Sequence, residues 1–276
     1  MENVKPSADQ VDQLDPIWDG IRRDVAVQVE REPILASFLH ATILNHATLE
    51  SALSFHLANK LDSPVAQALL IREVIDEALA ADPSIGTAAR ADLAAIEQRD
   101  SACHSLYEPF LFFKGYHALQ AWRVAHWLWQ QQRRSLSLFI QHRISVVFGV
   151  DIHPAAELGQ GILLDHATGI VIGETAVVED NVSIMQSVTL GGTGKESGDR
   201  HPKVRCGVLI GAGSKILGNI EIGACSQIAS GSVVLKPVPE KSLVAGVPAK
   251  VIGTASCDQP AISMNQTAIS QVDQLR

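Results

Sequence analysis

Two polar runs interrupt an otherwise aliphatic C-terminal half, and both hold residues suited to proton transfer and anion recognition. The first is Asp165-His166-Ala167-Thr168-Gly169. The second runs from Gly191 to Gly207, GGTGKESGDRHPKVRCG, and carries Asp199, Arg200 and His201. Histidine is a base near neutral pH, and the arginine fork matches a carboxylate. Acyl transfer to a substrate bearing a carboxylate is therefore one chemistry the set supports. A metal site from His166, His201 and Cys206 is a second, although no third histidine lies nearby and the spacing follows no tight zinc motif. Nucleotide binding through Gly194-Lys195 is a third. It fails, because a P-loop requires glycine where Thr189 stands and Ser or Thr where Glu196 stands. A fourth reading is that these loops simply tolerate polar residues.

The elements that position these runs follow a period of six. A frame starting at Ile152 meets Leu158 and Leu164, slips by two residues, and continues through Ile172, Val178, Ile184 and Leu190. After the second interruption it resumes at Ile210 and passes Ile216, Ile222, Ile228 and Val234. Every frame position is aliphatic, and glycine often follows, as at Gly159, Gly173, Gly191, Gly211 and Gly223. Such arithmetic describes a solenoid with three short strands per triangular coil, one aliphatic side chain of each strand pointing inward. An ordinary parallel α/β sheet would need crossovers of a dozen or more residues, for which there is no room. In a regular scaffold the interruptions are where chemistry should be sought.

Upstream, from about Asp12 to Val146, apolar residues recur at helical spacing. Leu35, Phe38, Leu39 and Ile43 form one stripe, and Leu69, Leu70, Val74 and Ile75 another. Asp62-Ser63-Pro64 and Asp82-Pro83-Ser84 each supply a cap beside a first-turn proline. A long helix is expected over Tyr107 to Arg133, its aromatics Phe110, Phe113, Tyr116, Trp122 and Trp127 packing between helices. The fold class is α+β: an all-α domain over residues 1–143, a β-helix over 144–253, and a flexible tail over 254–276 rich in Ser, Gln and Asp.

A net charge of −8 argues against a general binder of nucleic acid or anionic membrane. Four cysteines without paired spacing suggest reduced thiols. The N-terminus shows no apolar signal core, and the apolar stretch Pro33–Leu44 is too short to span a bilayer. A cytoplasmic protein is expected.

The stretch Val150 to Val204, containing DHATGIVIGETA and GDRHPK, closely resembles bacterial serine acetyltransferases. The likeness extends to AIEQRDSAC (Ala95–Cys103) and to Gly246-Val247-Pro248-Ala249-Lys250. The resemblance implies a left-handed β-helix and transfer of acetyl from acetyl-CoA, a co-substrate rather than a resident cofactor, to the hydroxyl of L-serine. It implies His166 as general base with Asp151 as its partner, and Arg200 and His201 for the serine carboxylate. Asp100 and Asp165 would face the ammonium, while Gly192, Ala212 and Lys250 would touch acetyl-CoA. L-cysteine is the implied feedback inhibitor, and a homotrimer, paired through the helical domains into a dimer of trimers, the implied assembly. The family's tail ends in isoleucine, which docks into O-acetylserine sulfhydrylase. This chain ends Leu275-Arg276, so that complex is expected to be weak or absent. The nearest rival is a hexapeptide acyltransferase acting on a sugar or antibiotic hydroxyl, for which paired amine- and carboxylate-binding residues would be useless.

Overall fold

Helices occupy the first half where apolar residues recur at helical spacing, and some carry a capping side chain at the start. Helix α1 (Pro16–Arg31) starts with proline at its first position, and the Asp15 carboxylate accepts the Trp18 N–H at 3.2 Å. The short α2 (Ala36–Leu39) leads through a wide turn, His40–Leu44, to α3 (Leu49–Leu61), which Thr48 caps. Next come α4 (Ala68–Ala81), α5 (Ser84–Arg99), α6 (Tyr107–Phe112), α7 (Lys114–Gln130) and α8 (Arg134–Phe148). Gly149, at φ 68°, ends α8. The structure is a computed structural model describing residues 15–194, 197–255 and 257–266; Lys195, Leu275 and Arg276 lie outside the described residues.

Several helical expectations need correction. Leu69 and Leu70 are exposed, and the buried stripe of α4 is Ile71, Ile75, Ala78 and Leu79. Leu35 and Phe38 are likewise partly exposed, leaving Leu39 and Ile43 in the core. Pro64 sits in a loop rather than a first turn; Asp62 instead accepts the Ala68 N–H at the start of α4. The single helix expected from Tyr107 to Arg133 breaks at Phe113, which turns α7 onto the second half of the molecule. Buried on nearly all sides, α7 carries Tyr116, Trp122 and Leu128 in the core.

The second half is a triangular prism of parallel strands. Its first face stacks β1 (Val150–Ile152), β4 (Ile170–Ile172), β7 (Thr189–Gly191), β10 (Lys215–Leu217) and β13 (Val233–Val234). The second holds β2 (Glu157–Leu158), β5 (Val177–Val178), β8 (Lys203–Val204) and β11 (Glu221–Ile222). The third holds β3 (Leu163–Asp165), β6 (Ser183–Met185), β9 (Leu209–Ile210), β12 (Gln227–Ile228) and β14 (Ser242–Gly246), with β15 (Ala249–Thr254) antiparallel at its end. The frame residues form the interior: Ile152, Ile172, Ile184, Leu190, Ile216 and Ile222 are at most 1% exposed. The frame resumes one strand earlier than expected. Val204 is fully buried and pairs with Val178 and Ile222.

Register shows where coils are enlarged. Val171 pairs with Thr189, and Lys215 with Val233, each eighteen residues on. Val150 pairs with Ile170, two residues further, because the first polar run is inserted; Thr189 pairs with Lys215, because the second loops out. Three columns of turns result. Corner A follows the first face, corner B the second and corner C the third.

The two halves are locked at corner B. Asp92 of α5, fully buried, accepts the Ile162 N–H at 2.9 Å, Gln120 Nε2 at 2.9 Å and Arg123 Nη2 at 2.7 Å. Arg123 Nη2 also donates to the Gly159 carbonyl at 2.8 Å. The junction expected at 143/144 falls inside α8. Within the segment expected to be flexible from 254, residues 260–266 lie against the third face. Helix α9 (Pro260–Ser263) buries Ala261, whose carbonyl accepts Ser183 Oγ–H at 2.8 Å.

Candidate active site

Corner C takes its shape from the inserted residues. His166 and Ala167 adopt φ of 55° and 59°, left-handed values that cost an L-residue on the order of 1 kcal/mol each. The turn closes through Ala167 N–H to the Asp165 carbonyl at 2.6 Å and Thr168 N–H to the His166 carbonyl at 2.7 Å. Ala167 is thereby buried, while the His166 side chain stands out, 72% exposed. Its Nε2 lies 3.8 Å from Asp165 Oδ1, too far for a hydrogen bond but close enough to interact electrostatically.

His166 and Asp165 line a cavity of about 690 Å³ with Asp100, which ends α5, and Lys114, which begins α7. A Cβ on Gly115 would come within 2.0 Å of the Leu164 carbonyl, so only glycine lets α7 sit against β3. Lys114 Nζ donates to Thr168 Oγ1, tying the helix to the base-bearing turn. Burial pushes the Asp165 carboxyl above its ordinary range; His166 opposes that shift and the Asp100 charge adds to it. Two carboxylates thus share one pocket, an arrangement that a cation between them would relieve. Neither Lys114 nor the shelter of the pocket was legible in the linear sequence.

Corner A holds the other polar run. Thr175 Oγ1 accepts the N–H groups of Arg200 at 3.0 Å and His201 at 3.1 Å. The Thr175 N–H donates to His201 Nδ1 at 3.2 Å, which leaves the ring proton on Nε2. Burial holds the His201 pKa below its usual value, and the Arg200 charge lowers it further. The ring lies on Gly173, where a Cβ would meet Nε2 at 2.0 Å. Arg200 Nη2 donates to Glu174 Oε2 at 2.7 Å and Nη1 to the Gly198 carbonyl at 3.1 Å. Glu174 was not singled out from sequence, although it stands within the GETA run.

Most of the expected residues separate into two groups. Corner C carries His166 and Asp165 with Asp100 beside them. Ala212 lies two coils further along the same edge, as the bonds Ser187 N–H to Thr168 O and Gly213 N–H to Gln186 O show. Corner A carries Arg200 and His201 with Gly192, where a Cβ would meet the Arg200 carbonyl at 3.4 Å. Lys250 is exposed on β15 opposite Ala245. Asp151, on the first face, accepts Gln141 Nε2–H from α8 at 2.7 Å and makes no hydrogen bond to His166. The expected pair is therefore not hydrogen-bonded in this conformation. His166, His201 and Cys206 stand on three different corners, which rules out their joint coordination of one ion within a chain. Among the described residues no three His, Cys, Asp or Glu side chains converge as a metal site would require.

Comparison with known proteins matches both halves. The family pattern described as serine acetyltransferase, N-terminal, covers residues 17–121, and bacterial transferase hexapeptide (six repeats) covers 201–236. The serine acetyltransferase of Escherichia coli is 56% identical over 255 residues, 92% of this chain and 93% of that protein. A solved serine acetyltransferase in complex with cysteine superimposes with a TM-score of 0.90 at 55% identity, covering 91% of this chain and 98% of that one. The serine acetyltransferase of Brucella abortus in complex with coenzyme A gives 0.88 at 53%, covering 90% and 99%. With relatives this similar over more than nine-tenths of its length, the chain belongs to the serine acetyltransferase family.

Proposed function

We propose that this chain transfers acetyl from acetyl-CoA to the hydroxyl of L-serine by direct attack, with His166 as general base. The observation that carries the reading is the corner C cavity, where an exposed imidazole stands beside the carboxylates of Asp100 and Asp165. Neutral His166 accepts the hydroxyl proton as the serine oxygen bonds to the thioester carbon. The tetrahedral adduct then expels the CoA thiolate, which takes the proton back from the imidazolium. The C–O bond forms, the C–S bond breaks, and no acyl-enzyme intervenes. Asp100 and Asp165 bind the serine ammonium. Asp151 orients His166 in the reacting complex, once the imidazole turns toward the first face; its Oδ1 already accepts Gln141 Nε2–H.

Arg200 and His201 bind the serine carboxylate, and they come from a neighbouring copy because corners A and C of one prism point apart. The assembly is then a homotrimer with corner A of each copy against corner C of the next, and two trimers meet through their helical domains. Acetyl-CoA lies along corner C past Ala212 toward Lys250, with Gly192 contributed by the neighbour. L-cysteine carries the same ammonium and carboxylate as serine, so it competes for the same groups and acts as feedback inhibitor. A neutral sugar would leave these charges unpaired, which disfavours the rival acyltransferase reading. The reading assigns the enzyme to the cytoplasm, where acetyl-CoA is supplied.

Subunit mixing tests the scheme. His166→Ala and Arg200→Ala proteins, each strongly impaired in a thiol-release assay with serine, are co-refolded in equal amounts. Random assembly restores about a quarter of wild-type turnover if each site takes one residue from each copy. Mixing that restores nothing refutes the shared site, and wild-type turnover of a galactoside in preference to serine refutes the substrate.

A further inference from the structure

Corner B brings together three cysteines that acetyl transfer does not use. Cys206 and Cys225 stand on successive coils. Cys257 follows β15, whose end is tied to this corner by Ala255 N–H to the Lys241 carbonyl and Lys241 N–H to the Ala224 carbonyl, each at 2.8 Å. The Cys225 N–H donates to the Cys206 carbonyl at 2.9 Å. With ordinary backbone dimensions that bond keeps the two Cα atoms within about 6.8 Å, inside the range a disulfide spans. Gly207, next to Cys206, stands directly over Cys225: a Cβ there would lie 3.0 Å from Cys225 Sγ. The Cys225 thiol therefore points toward the coil of Cys206, into space that glycine leaves open. Cys206 is exposed and Cys225 half-buried. Cys257 Sγ is turned toward α9, where it bonds Ser263 Oγ at 3.1 Å.

We propose that Cys206 and Cys225 are a thiol-oxidation site that closes to an intrachain disulfide on meeting a low-molecular-weight disulfide. Burial, with Cys206 and Cys257 nearby, pushes the Cys225 thiol up from its ordinary pKa, so the exposed Cys206 is the first attacker. Its thiolate attacks one sulfur of the small disulfide, forming a mixed disulfide and releasing one thiolate. The Cys225 thiolate then attacks the Cys206 sulfur and releases the second. One S–S bond forms and one breaks. The protein pair loses two electrons, the small disulfide gains them, and the two protons of the protein thiols pass to the released thiolates. The bond cross-links the end of β8, which leads back from Arg200 and His201, to the next coil.

The test exposes folded wild-type protein to oxidised glutathione, blocks remaining thiols by alkylation and maps peptides without reduction. The expected result is one linked peptide pair joining Cys206 to Cys225 within a chain, with two thiols lost to alkylation. The same link persists in Cys257→Ser and disappears in Cys225→Ser, which retains glutathione on Cys206. Only a mixed disulfide in the wild type, a link between copies, a Cys225–Cys257 link or no reaction each overturns the proposal.

Discussion

Asp92→Ala removes the acceptor that joins α5, α7 and the β-helix. Three donors lose their partner: the Ile162 N–H, Gln120 Nε2 and Arg123 Nη2, all within 2.9 Å in the intact protein. Asp92 is 0% and Arg123 8% exposed at the side chain, so solvent cannot replace the carboxylate, and among the described residues Arg123 keeps only the Gly159 carbonyl. Breaking a buried ion pair by deleting one partner costs about 3–5 kcal/mol, and an orphaned buried N–H adds to it. At roughly 2 °C per kcal/mol for a chain of this size, the melting midpoint at fixed protein concentration falls by about 10 °C. Function follows, because Asp100 ends the same helix eight residues on, about 12 Å along its axis. Loosening α5 moves Asp100 relative to Asp165, so the serine KM rises while the acetyl-CoA KM changes little. The control is Arg123→Met, alone and combined: with no guanidinium left unpaired, Asp92→Ala costs less in that background. A midpoint within 2 °C of wild type, or an equal cost in both backgrounds, refutes the view of Asp92 and Arg123 as a coupled lock.

Arg200→Ala should raise the serine KM by thirtyfold or more, equivalent to about 2–5 kcal/mol for a charge-assisted contact with the substrate carboxylate; steady-state kinetics that instead show a rise in the acetyl-CoA KM would reassign Arg200 to the co-substrate. Protein stability should fall with acid through two packed histidines. His56 bonds the Leu111 carbonyl and His117 the Phe110 carbonyl, their rings 4.9 Å apart. Burial, with the Lys60 charge adding, lowers the His56 pKa from 6.5 to about 4, and burial drives His117 well below its ordinary value. Both are neutral when folded and take up protons more readily when unfolded. Stability is therefore full above pH about 6.5 and declines below it; His56 alone accounts for about 2 kcal/mol at pH 5. Denaturation midpoints at pH 7 and 5 should converge less in the wild type than in His56→Gln, and equal pH dependence in both would count against the mechanism.

Much of the β-helix was legible because its physical constraint is local. Each coil admits one inward aliphatic per face, so Ile152 through Val234 spell the scaffold in a period of six, and a departure from that period marks an enlarged turn. His166 and Arg200 could be found this way. The helical half was less legible. Leu69 and Leu70 satisfy a helical stripe, yet burial of α4 is decided by where α3 and α7 lie, and those positions involve residues distant in sequence. The break at Phe113 and the burial of Ala261 likewise depend on surfaces that exist only after folding.

For the site, residue types and spacing marked which groups are chemically able, a base at His166, a carboxylate at Asp165 and a fork at Arg200, whereas Asp100 entered only through the family resemblance. Tertiary structure alone decided their company. It placed Asp100 beside Asp165 across sixty-five residues of chain, engaged Asp151 with Gln141, and set Arg200 on a different corner from His166. The reason is geometric. A triangular coil sends successive turns to different edges, so neighbours along the chain diverge while residues a whole coil apart stack. Proximity in this fold is a property of the winding, and a six-residue period specifies the scaffold without stating which helix will cover each corner.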